Sequence, residues 1–552
     1  MLKTRSVCTN PVPVAILAAV FTALSVAPAC AQERKPVRQA PDRILYNGKI
    51  LTVDANFSIA AAIAIRGERI VAVGNTASIR KLAGPRTVQT DLRGSTVVPG
   101  LIDNHIHYLR GTVFGASEVR WHGLASRREA LDAISAKART LSPGEWIFVL
   151  GGWGERQFVD KPGGFTQEEL DAAAPVNPVF IQRIYTAFYM NSLATRAIAP
   201  AIGELYKGGS VVRTNPTDGR TVMYAALKYF PYAATVEKRM EEVKSYNHYL
   251  NSMGLTTVYD VGYIDGSYEP VARLAKRNDL SLRVFYTARY WAETPWTATA
   301  AAEQLDRERP FMRDHRFGVL GIGEHVYGPI HDSLGAPKHV YSANQWDEFE
   351  KIATAAAKRG WQINEHTQLD HNARTMMDIG EKISAKHPIR DLRWTLGHVE
   401  TVTTDTIERA KRLGWTMTVH NHLVKPPEQP AAPIRQIQDS GIVWGMGSDG
   451  TVVATYNPFQ TIWEFTSGKV YPDFVRYKPN EVISRKEALI AHTRSNAYIL
   501  FMEKDVGTLE AGKLADLAVL DRDFLEIPVD DVRNITPVMT MLGGEIVYEK
   551  RP

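Results

Sequence analysis

The stretch VVPGLIDNHIHYLRG, residues 97–111, joins an apolar run to two histidines that are two positions apart. Successive side chains of a β-strand point to opposite faces, so His105 and His107 lie on one face and Ile106 lies on the other. Two imidazoles on one face at a strand end are a candidate metal site. An isolated His-x-His pair also occurs in ordinary surfaces and cores, so the rest of the chain decides between these interpretations.

Downstream of this stretch, short apolar strands alternate with helical segments. Ser342 or Asn344 can cap a helix at its start, and Gly414 is suited to end another. Eight strands alternating with helices predict an α/β fold, a (β/α)8 TIM-like barrel, with a large insertion at about 110–250 between its first two strands. The strands are expected at 98–105, 254–260, 281–287, 316–323, 361–366, 393–398, 415–420 and 441–447.

Both ends of the chain have a different pattern, with short strands separated by Gly, Asn or Asp turns. Residues 42–97 and 505–552 each contain too few strands to bury a sheet face alone. We therefore predict that they form one small composite β-sandwich domain built from both chain ends. The barrel would then occupy residues 98–504.

The first 31 residues have the pattern of a secretory signal peptide, with a basic start, an apolar segment and Ala29-Cys30-Ala31 at its end. A membrane anchor is the alternative, but polar, proline-containing sequence follows at once. We expect a periplasmic or secreted protein with no stable membrane insertion after signal removal. Both cysteines, Cys8 and Cys30, lie in this segment, so the mature chain has neither disulfides nor thiolate metal ligands.

The composition is that of a globular protein, and the formal charge of +5 decreases slightly when the segment with Lys3 and Arg5 is removed. No basic cluster with interleaved aromatic residues indicates nucleic-acid binding. The expected partner is a small-molecule substrate, and a homo-oligomer is left open. No organic cofactor site is predicted.

The active site of such a barrel lies at the C-terminal ends of its strands. Histidines and carboxylates occupy this position in five of the predicted strands, a convergence that chance seldom produces. Such ligands suit zinc, with manganese or iron as alternatives. The residues concerned are His105, His107, Glu324, His325, His366, His398 and Asp449.

Taken together, these features resemble the amidohydrolase superfamily, in its amidohydrolase-3 or YtcJ-like branch. The resemblance rests on PGLIDNHIH at 99–107, on the strand-end residues and on the tail at 488–523, which ends in GKLADLAVLDRD. It implies a metal-dependent hydrolase in which His105 and His107 bind a first divalent ion, and His366 and His398 bind a second.

The resemblance also implies that Asp449 touches a metal or its bound water. A divalent ion lowers the pKa of water from about 15.7 to about 7. Asp449 would then be catalytic, carrying a proton from this water to the leaving amine. The alternative is a structural Ser-Asp-Gly turn that caps its own backbone.

One position departs from the family pattern. Family members commonly carry a lysine on the fourth strand, modified to a carbamate that bridges two metals, whereas FGVLGIGEHVYG at 317–328 contains no lysine. We predict that Glu324 supplies the bridging carboxylate. If it lies outside the ligand set, the site is expected to hold one ion. His325 points the other way in a regular strand and is ranked below Glu324.

Further candidates concern the substrate pocket. His420 and His422 are predicted to be catalytic through a hydrogen bond to the substrate carbonyl or oxyanion, with solvent exposure as the alternative. The segment Gly151–Gly154 either shapes the pocket or turns a strand. Aromatic residues would form an apolar wall, or would pack the barrel against the insertion. They are Tyr185, Phe188, Tyr189, Tyr259, Tyr263, Tyr286, Tyr290 and Trp291.

The predicted function is an exported metal-dependent hydrolase of a C–N bond, of the amide, N-acyl or carbamate type, acting on a molecule with an apolar or aryl part. A deaminase or cyclic-amide hydrolase of the same superfamily is the enzymatic alternative, because similar ligands serve both. A catalytically silent binding or scaffold protein is the alternative from another class. One or two metal ions, with zinc expected, accompany the leading hypothesis.

Overall fold

Eight parallel strands form a nearly closed barrel in the computed structural model, which describes residues 39–115, 117–262, 267–288, 297–334 and 339–550. The predicted TIM-like barrel is therefore confirmed, and no strand boundary differs from its predicted position by more than three residues. The strands are β1 (Leu101–Ile106), β2 (Leu255–Asp260), β3 (Arg283–Ala288), β4 (Phe317–Glu324), β5 (Gln362–Thr367), β6 (Thr395–His398), β7 (Thr416–His420) and β8 (Trp444–Gly447).

The predicted signal peptide lies outside the described residues. Within the described ranges, every helix is either too short or too polar to cross a lipid bilayer.

The barrel helices begin and end at residues suited to those positions. Ser342 accepts a hydrogen bond from the backbone of Gln345, whose side chain accepts one from the backbone of Ser342. Gly414, with φ of 75°, ends the helix before β7. The helices after β2 are Glu269–Lys276, Ala298–Arg307, Ala343–Arg359, Asp370–Ser384, Thr404–Leu413, Ile434–Ser440, Pro458–Ser467, Arg485–Ile490 and Asn496–Ile499, with a π-helical turn at Ala491–Ser495.

In the described part of the chain, β8 and β1 form no strand ladder, and a side chain joins them below the backbone bonds that link the end of β1 to the residues after β8. Asn496 Nδ2 donates to the carbonyls of Ile102 at 2.6 Å and Met446 at 2.8 Å, and its Oδ1 accepts from Asn104 at 2.6 Å. A Cβ at Gly445 would lie 1.8 Å from Asn496 Oδ1, so the bridge requires glycine there. Asn496 thus closes the seam of the barrel.

The residues between β1 and β2 form a second sheet. Its strands, in spatial order, are Val211–Arg213, Ala187–Met190, Val179–Arg183 and Ile147–Val149. Apolar side chains cover it as two clusters, one containing Phe188 and the other Tyr189. The helices of this segment are Tyr108–Phe114, Arg127–Ala138, Gln167–Ala173, Ser192–Ile202, Pro216–Leu227 and Val236–Asn251.

Two more sheets contain the strands near the chain ends. Leu45 and Ile63 of one sheet share an apolar cluster with Leu517 and Met541 of the other. The four-stranded sheet comprises Arg43–Tyr46, Ala62–Arg66, Arg69–Gly74 and Val88–Asp91, and the six-stranded sheet comprises Lys49–Leu51, Ile59–Ala60, Thr96–Pro99, Leu517–Leu520, Pro537–Leu542 and Glu545–Glu549.

The first barrel strand begins later than predicted. Residues Thr96–Pro99 pair with Leu517–Leu520 in the six-stranded sheet, and β1 begins only at Leu101. Gly100 lies between the two strands. Only glycine fits there, because a Cβ would lie 2.2 Å from the Thr256 side chain. The apolar run at 97–102 therefore serves two sheets.

We predict that Asn496→Ala lowers the free energy of unfolding by about 2–4 kcal/mol, because it leaves buried carbonyls and an amide without partners. Urea unfolding followed by circular dichroism measures this change. Asn56→Ala, at an exposed turn, is the matched control and should change stability by less than about 0.5 kcal/mol. Equal stability of both variants would contradict the role of Asn496 in the seam.

Candidate metal centre

The carboxylate of Glu324, the last residue of β4, lies between two pairs of histidines at the C-terminal end of the barrel. Its Oε2 lies 3.2 Å from His105 Nε2, and its Oε1 lies 3.8 Å from His107 Nε2. On its other side, Oε2 lies 3.4 Å from His366 Nδ1 and 3.6 Å from His398 Nε2. Four strands thus bring four of the predicted ligands, all histidines, together around the carboxylate of a fifth, Glu324.

The spacing of these atoms fits divalent metal ions. His105, His107 and Glu324 form one triad, in which the ligand atoms lie within 4.8 Å of one another. Glu324, His366 and His398 form a second triad with the same property. Tetrahedral ligands at zinc bond lengths lie about 3.3 Å apart. Because Glu324 belongs to both triads, the arrangement is suited to a carboxylate shared by two ions.

The hydrogen bonding of the imidazoles supports this fit. Nε2 of His105 and Nε2 of His398 are buried and make no hydrogen bond with the described residues. Buried polar atoms normally have a partner. These nitrogens instead face the carboxylate of Glu324, and such a set of nitrogen and oxygen donors is one that zinc and similar divalent ions bind.

Two histidines of the centre are oriented by further contacts. His366 Nε2 lies 3.0 Å from the backbone oxygen of Asp332, to which it can donate, so that Nδ1 faces Glu324. His398 Nδ1 lies 2.9 Å from His420 Nδ1, so that Nε2 faces Glu324. Contacts of this kind fix ring orientation in metal sites.

Asp449 follows β8 and lies beside the first histidine pair. Its backbone N–H donates to the backbone oxygen of His105 at 2.8 Å, and the backbone N–H of His107 donates to the backbone oxygen of Gly450 at 2.6 Å. Its Oδ1 lies 3.3 Å from His107 Nε2, and its Oδ2 lies 3.9 Å from His398 Nδ1. The backbone bonds hold this carboxylate at the edge of the centre.

Both carboxylates of the centre are ionised. Burial raises the pKa of Asp449, but the neighbouring imidazoles, His107 foremost, lower it to about 2. Burial likewise raises the pKa of Glu324, but His325 and the surrounding histidines lower it well below its ordinary value. Two buried negative charges therefore face a set of imidazoles.

A cavity of about 370 Å³ opens onto the centre, a volume at the lower end of the range for small-molecule sites. Its floor consists of His107, Glu324, His366, His398 and Asp449. Its apolar wall consists of Trp153, Ile184, Tyr185, Pro216, Leu334, Val424, Pro426, Val452 and Val453.

His420 and His422 do not line this cavity. His420 is fully buried, with its ring 3.8 Å from that of His105 and its Nε2 3.2 Å from Thr418 Oγ1. His422 Nε2 lies 3.0 Å from Glu400 Oε1, and both of these residues are buried. Their catalytic role stays a prediction, but the structure places His420 behind His398, where it can orient that ring.

Most of the predicted aromatic wall packs elsewhere. Tyr185 lines the cavity, whereas Phe188 and Tyr189 belong to the apolar clusters of the insertion. Tyr259 donates to Gln362, and Tyr286 stacks on Tyr268 at 4.0 Å. Trp153 also borders the cavity, but its ring is almost fully buried in the same cluster as Tyr189. Tyr263, Tyr290 and Trp291 lie outside the described residues.

Several cavity residues were not predicted from the sequence. His331 and Asp332 lie in the loop after β4, and His331 Nδ1 lies 3.2 Å from Nδ1 of His325, which also lines the cavity. The only signal for them is their place after a barrel strand, where active-site loops occur. The cations Arg183, Arg220 and Lys425 line the cavity as well, and no motif marks them.

Comparisons with known proteins agree with this description. The sequence model of the amidohydrolase family matches residues 89–548. The chain is 26% identical over 558 residues to the protein LONG AFTER FAR-RED 3 of Arabidopsis thaliana, covering 93% of this chain and 92% of that protein. It is 26% identical over 550 residues to an N-substituted formamide deformylase of Arthrobacter pascens, covering 93% of this chain and 99% of that protein.

A solved structure shares the fold. A metal-dependent hydrolase from Pyrococcus furiosus, itself uncharacterized, aligns with a TM-score of 0.63 and 20% sequence identity. The alignment covers 88% of this chain and 100% of that structure.

We predict that the protein, purified without chelators, contains two equivalents of divalent metal, and that Glu324→Gln contains one, because a neutral amide cannot replace a shared carboxylate. Plasma mass spectrometry measures both values. Glu428→Gln, at an exposed carboxylate, is the matched control and should retain two equivalents. An unchanged stoichiometry in Glu324→Gln would contradict the bridge.

Proposed function

The chain belongs to the amidohydrolase family, and on that basis we propose that it hydrolyses a C–N bond of amide, N-acyl or carbamate type in a small molecule with an apolar or aryl part. The observation that carries the proposal is the convergence of four histidines on the buried Glu324 carboxylate beneath an open cavity. Similarity to an N-substituted formamide deformylase over almost the whole chain supports the reaction class.

The metal centre supplies Lewis acidity in this proposal. A divalent ion, when bound, acts as a Lewis acid toward the scissile carbonyl and lowers the pKa of water to about 7. His105, His107, His366 and His398 would hold the metal, with Glu324 between the pairs. Zinc fits these nitrogen and oxygen donors, with manganese or iron as alternatives.

Asp449 is the proposed proton carrier. This residue is ionised, and a carboxylate oxygen can accept a proton from the attacking water and deliver it to the leaving nitrogen. The hydrogen bond from its backbone N–H to the backbone oxygen of His105 holds the carboxylate close to the centre during both proton transfers. Since an amide nitrogen leaves poorly without a proton, this delivery is needed for the bond to break.

The apolar wall would bind the remainder of the substrate. Trp153 donates its indole N–H to the backbone oxygen of Gln182 at 2.9 Å, and its almost fully buried ring supports this wall from behind. Tyr185, Leu334 and Val452 add further carbon surface. Such a wall excludes water from the reacting carbonyl and favours a substrate with an apolar or aryl part.

We also propose a composite β-sandwich domain, an insertion that contributes to the cavity, and export of the protein. The apolar cluster shared by the two end sheets supports a composite β-sandwich domain, and the sheet between β1 and β2 supports an insertion that contributes to the cavity. The pattern of the first 31 residues supports export to the periplasm or beyond.

The test uses the mature chain with a panel of aryl amides, N-formyl amines, N-acyl amino acids and carbamates. We expect release of the free amine, loss of activity after chelation and recovery with zinc or manganese. Mass spectrometry of the products measures the cleavage. Failure of the metal-loaded protein to cleave any of the panel would contradict the proposal, and ammonia release from an exocyclic amine would favour a deaminase instead.

We predict that Asp449→Asn lowers kcat by about 10²–10⁴-fold, because the amide cannot accept the proton. Metal content should stay at the wild-type value, which separates proton transfer from ligand loss. Asp405→Asn, at an exposed carboxylate, is the control and should keep full activity. Equal turnover of Asp449→Asn and wild type would remove the proton-carrying role.

A further inference from the structure

Three cationic side chains line the same cavity as the metal centre. Arg183 and Lys425 are half-buried, and Arg220 is exposed at the cavity edge. Within the described residues, no carboxylate oxygen lies within 4.0 Å of any of their charged nitrogens. Three cations that share a small cavity without an ion-pair partner repel one another, and an anion bound among them would relieve this repulsion.

The turn at residues 184–186, directly after Arg183, packs against the helix that carries Arg220. Gly219 packs so closely on this turn that a Cβ would lie 1.8 Å from the backbone oxygen of Tyr185. The Tyr185 hydroxyl accepts from Arg110 at 3.1 Å, and its ring lies 5.9 Å from the Arg220 guanidinium. The turn after the strand that ends at Arg183 is thus packed closely against the helix that carries Arg220.

Lys425 lies on a loop whose backbone oxygens are hydrogen-bonded to a buried arginine. Arg476, which is buried, donates to the backbone oxygens of Pro426 and Gln429 at 2.9 Å each and of Lys425 at 3.3 Å. Its Nε lies 3.8 Å from Glu464. This buried arginine defines the position from which Lys425 reaches the cavity.

The acidic groups near these cations are already engaged. Beside Lys425, the buried Glu400 lies 3.0 Å from His422 Nε2, and the buried Glu464 accepts from the His422 backbone at 2.8 Å. Glu155, whose pKa is lowered in part by the charge of Arg183, pairs with Arg213 at 3.0 Å and accepts a hydrogen bond from the Tyr189 hydroxyl. Asp332 accepts from the backbone of Gln368 at 2.8 Å, the backbone of Leu369 at 2.9 Å and the Asn372 side chain at 3.0 Å. The remaining carboxylates of the cavity, Glu324 and Asp449, lie in the metal centre.

We propose that Arg183, Arg220 and Lys425 form a subsite for a carboxylate of the substrate. Guanidinium groups match carboxylate geometry with two parallel hydrogen bonds, and a lysine adds a mobile point charge. This inference rests on the proposed function and narrows it. The substrate is an N-acyl amino acid or a similar amide, with its scissile bond at the metal centre, its carboxylate at the three cations and its apolar side chain on the wall.

The kinetic test compares two substrates that differ only in the carboxylate, N-acetylphenylalanine and N-acetyl-2-phenylethylamine. We expect the wild type to prefer the former by about 10- to 100-fold in kcat/KM, with a preference that declines as salt rises. In Arg183→Met and Lys425→Met this ratio should fall at least threefold. Arg196→Met, which removes an exposed charge of the insertion outside the cavity, should keep the wild-type ratio.

A binding measurement separates this subsite from the chemistry. Calorimetric titration of metal-depleted protein with N-acetylphenylalanine should give a Kd at least tenfold tighter for wild type than for Arg183→Met. Tighter binding without hydrolysis would support the subsite while contradicting the proposed function. Hydrolysis of both substrates at equal kcat/KM, or an equal loss for both substrates in the variants, would overturn the subsite and leave the proposed function standing.

Discussion

The burial of the Glu324 carboxylate is the constraint on which the rest of the structure depends. An ionised carboxylate away from water is costly unless positive or hydrogen-bonding groups surround it. Here those groups are imidazoles from β1, β5 and β6, so the ends of these strands must lie at one level. Asp449 adds a second negative charge at the same level. A divalent cation can balance the two carboxylates and be bound by the imidazoles in their neutral form. The barrel that buries these carboxylates therefore also places the donors that a metal requires.

The features that depend on local pattern were predicted from the sequence. The barrel strands are short apolar runs flanked by helix caps and glycines, and these signals lie within a few residues of one another. His366 and His398 were identified because the end of a parallel strand is also the edge of the active site. The start of β1 shows where such reasoning ends. Thr96–Pro99 pairs with Leu517–Leu520, about 420 residues away along the chain, and no local signal records that pairing.

The cavity wall could not be predicted in the same way, because it depends on distant contacts. Phe188 and Tyr189 occupy adjacent positions on one strand, so they point to opposite faces, and each face is covered by its own cluster. Tyr185 reaches the cavity because the turn before them is packed against Gly219. His420 faces inward at the end of β7, beneath His398, and not outward to the substrate. The orientation of each of these side chains depends on tertiary packing, which the two-residue period of a strand does not specify.

The centre and the wall therefore come from different parts of the chain, and this separation bears on how the relatives are interpreted. Strand ends supply His105, Glu324, His366 and His398, and His107 and Asp449 follow β1 and β8 by one and two residues. The insertion and the loops supply Tyr185, Arg183 and Lys425. Loops can change without disturbing the strands that hold the metal ligands, so one centre can serve many substrates. A relative at 26% identity can thus share the reaction and differ in the charge of its wall.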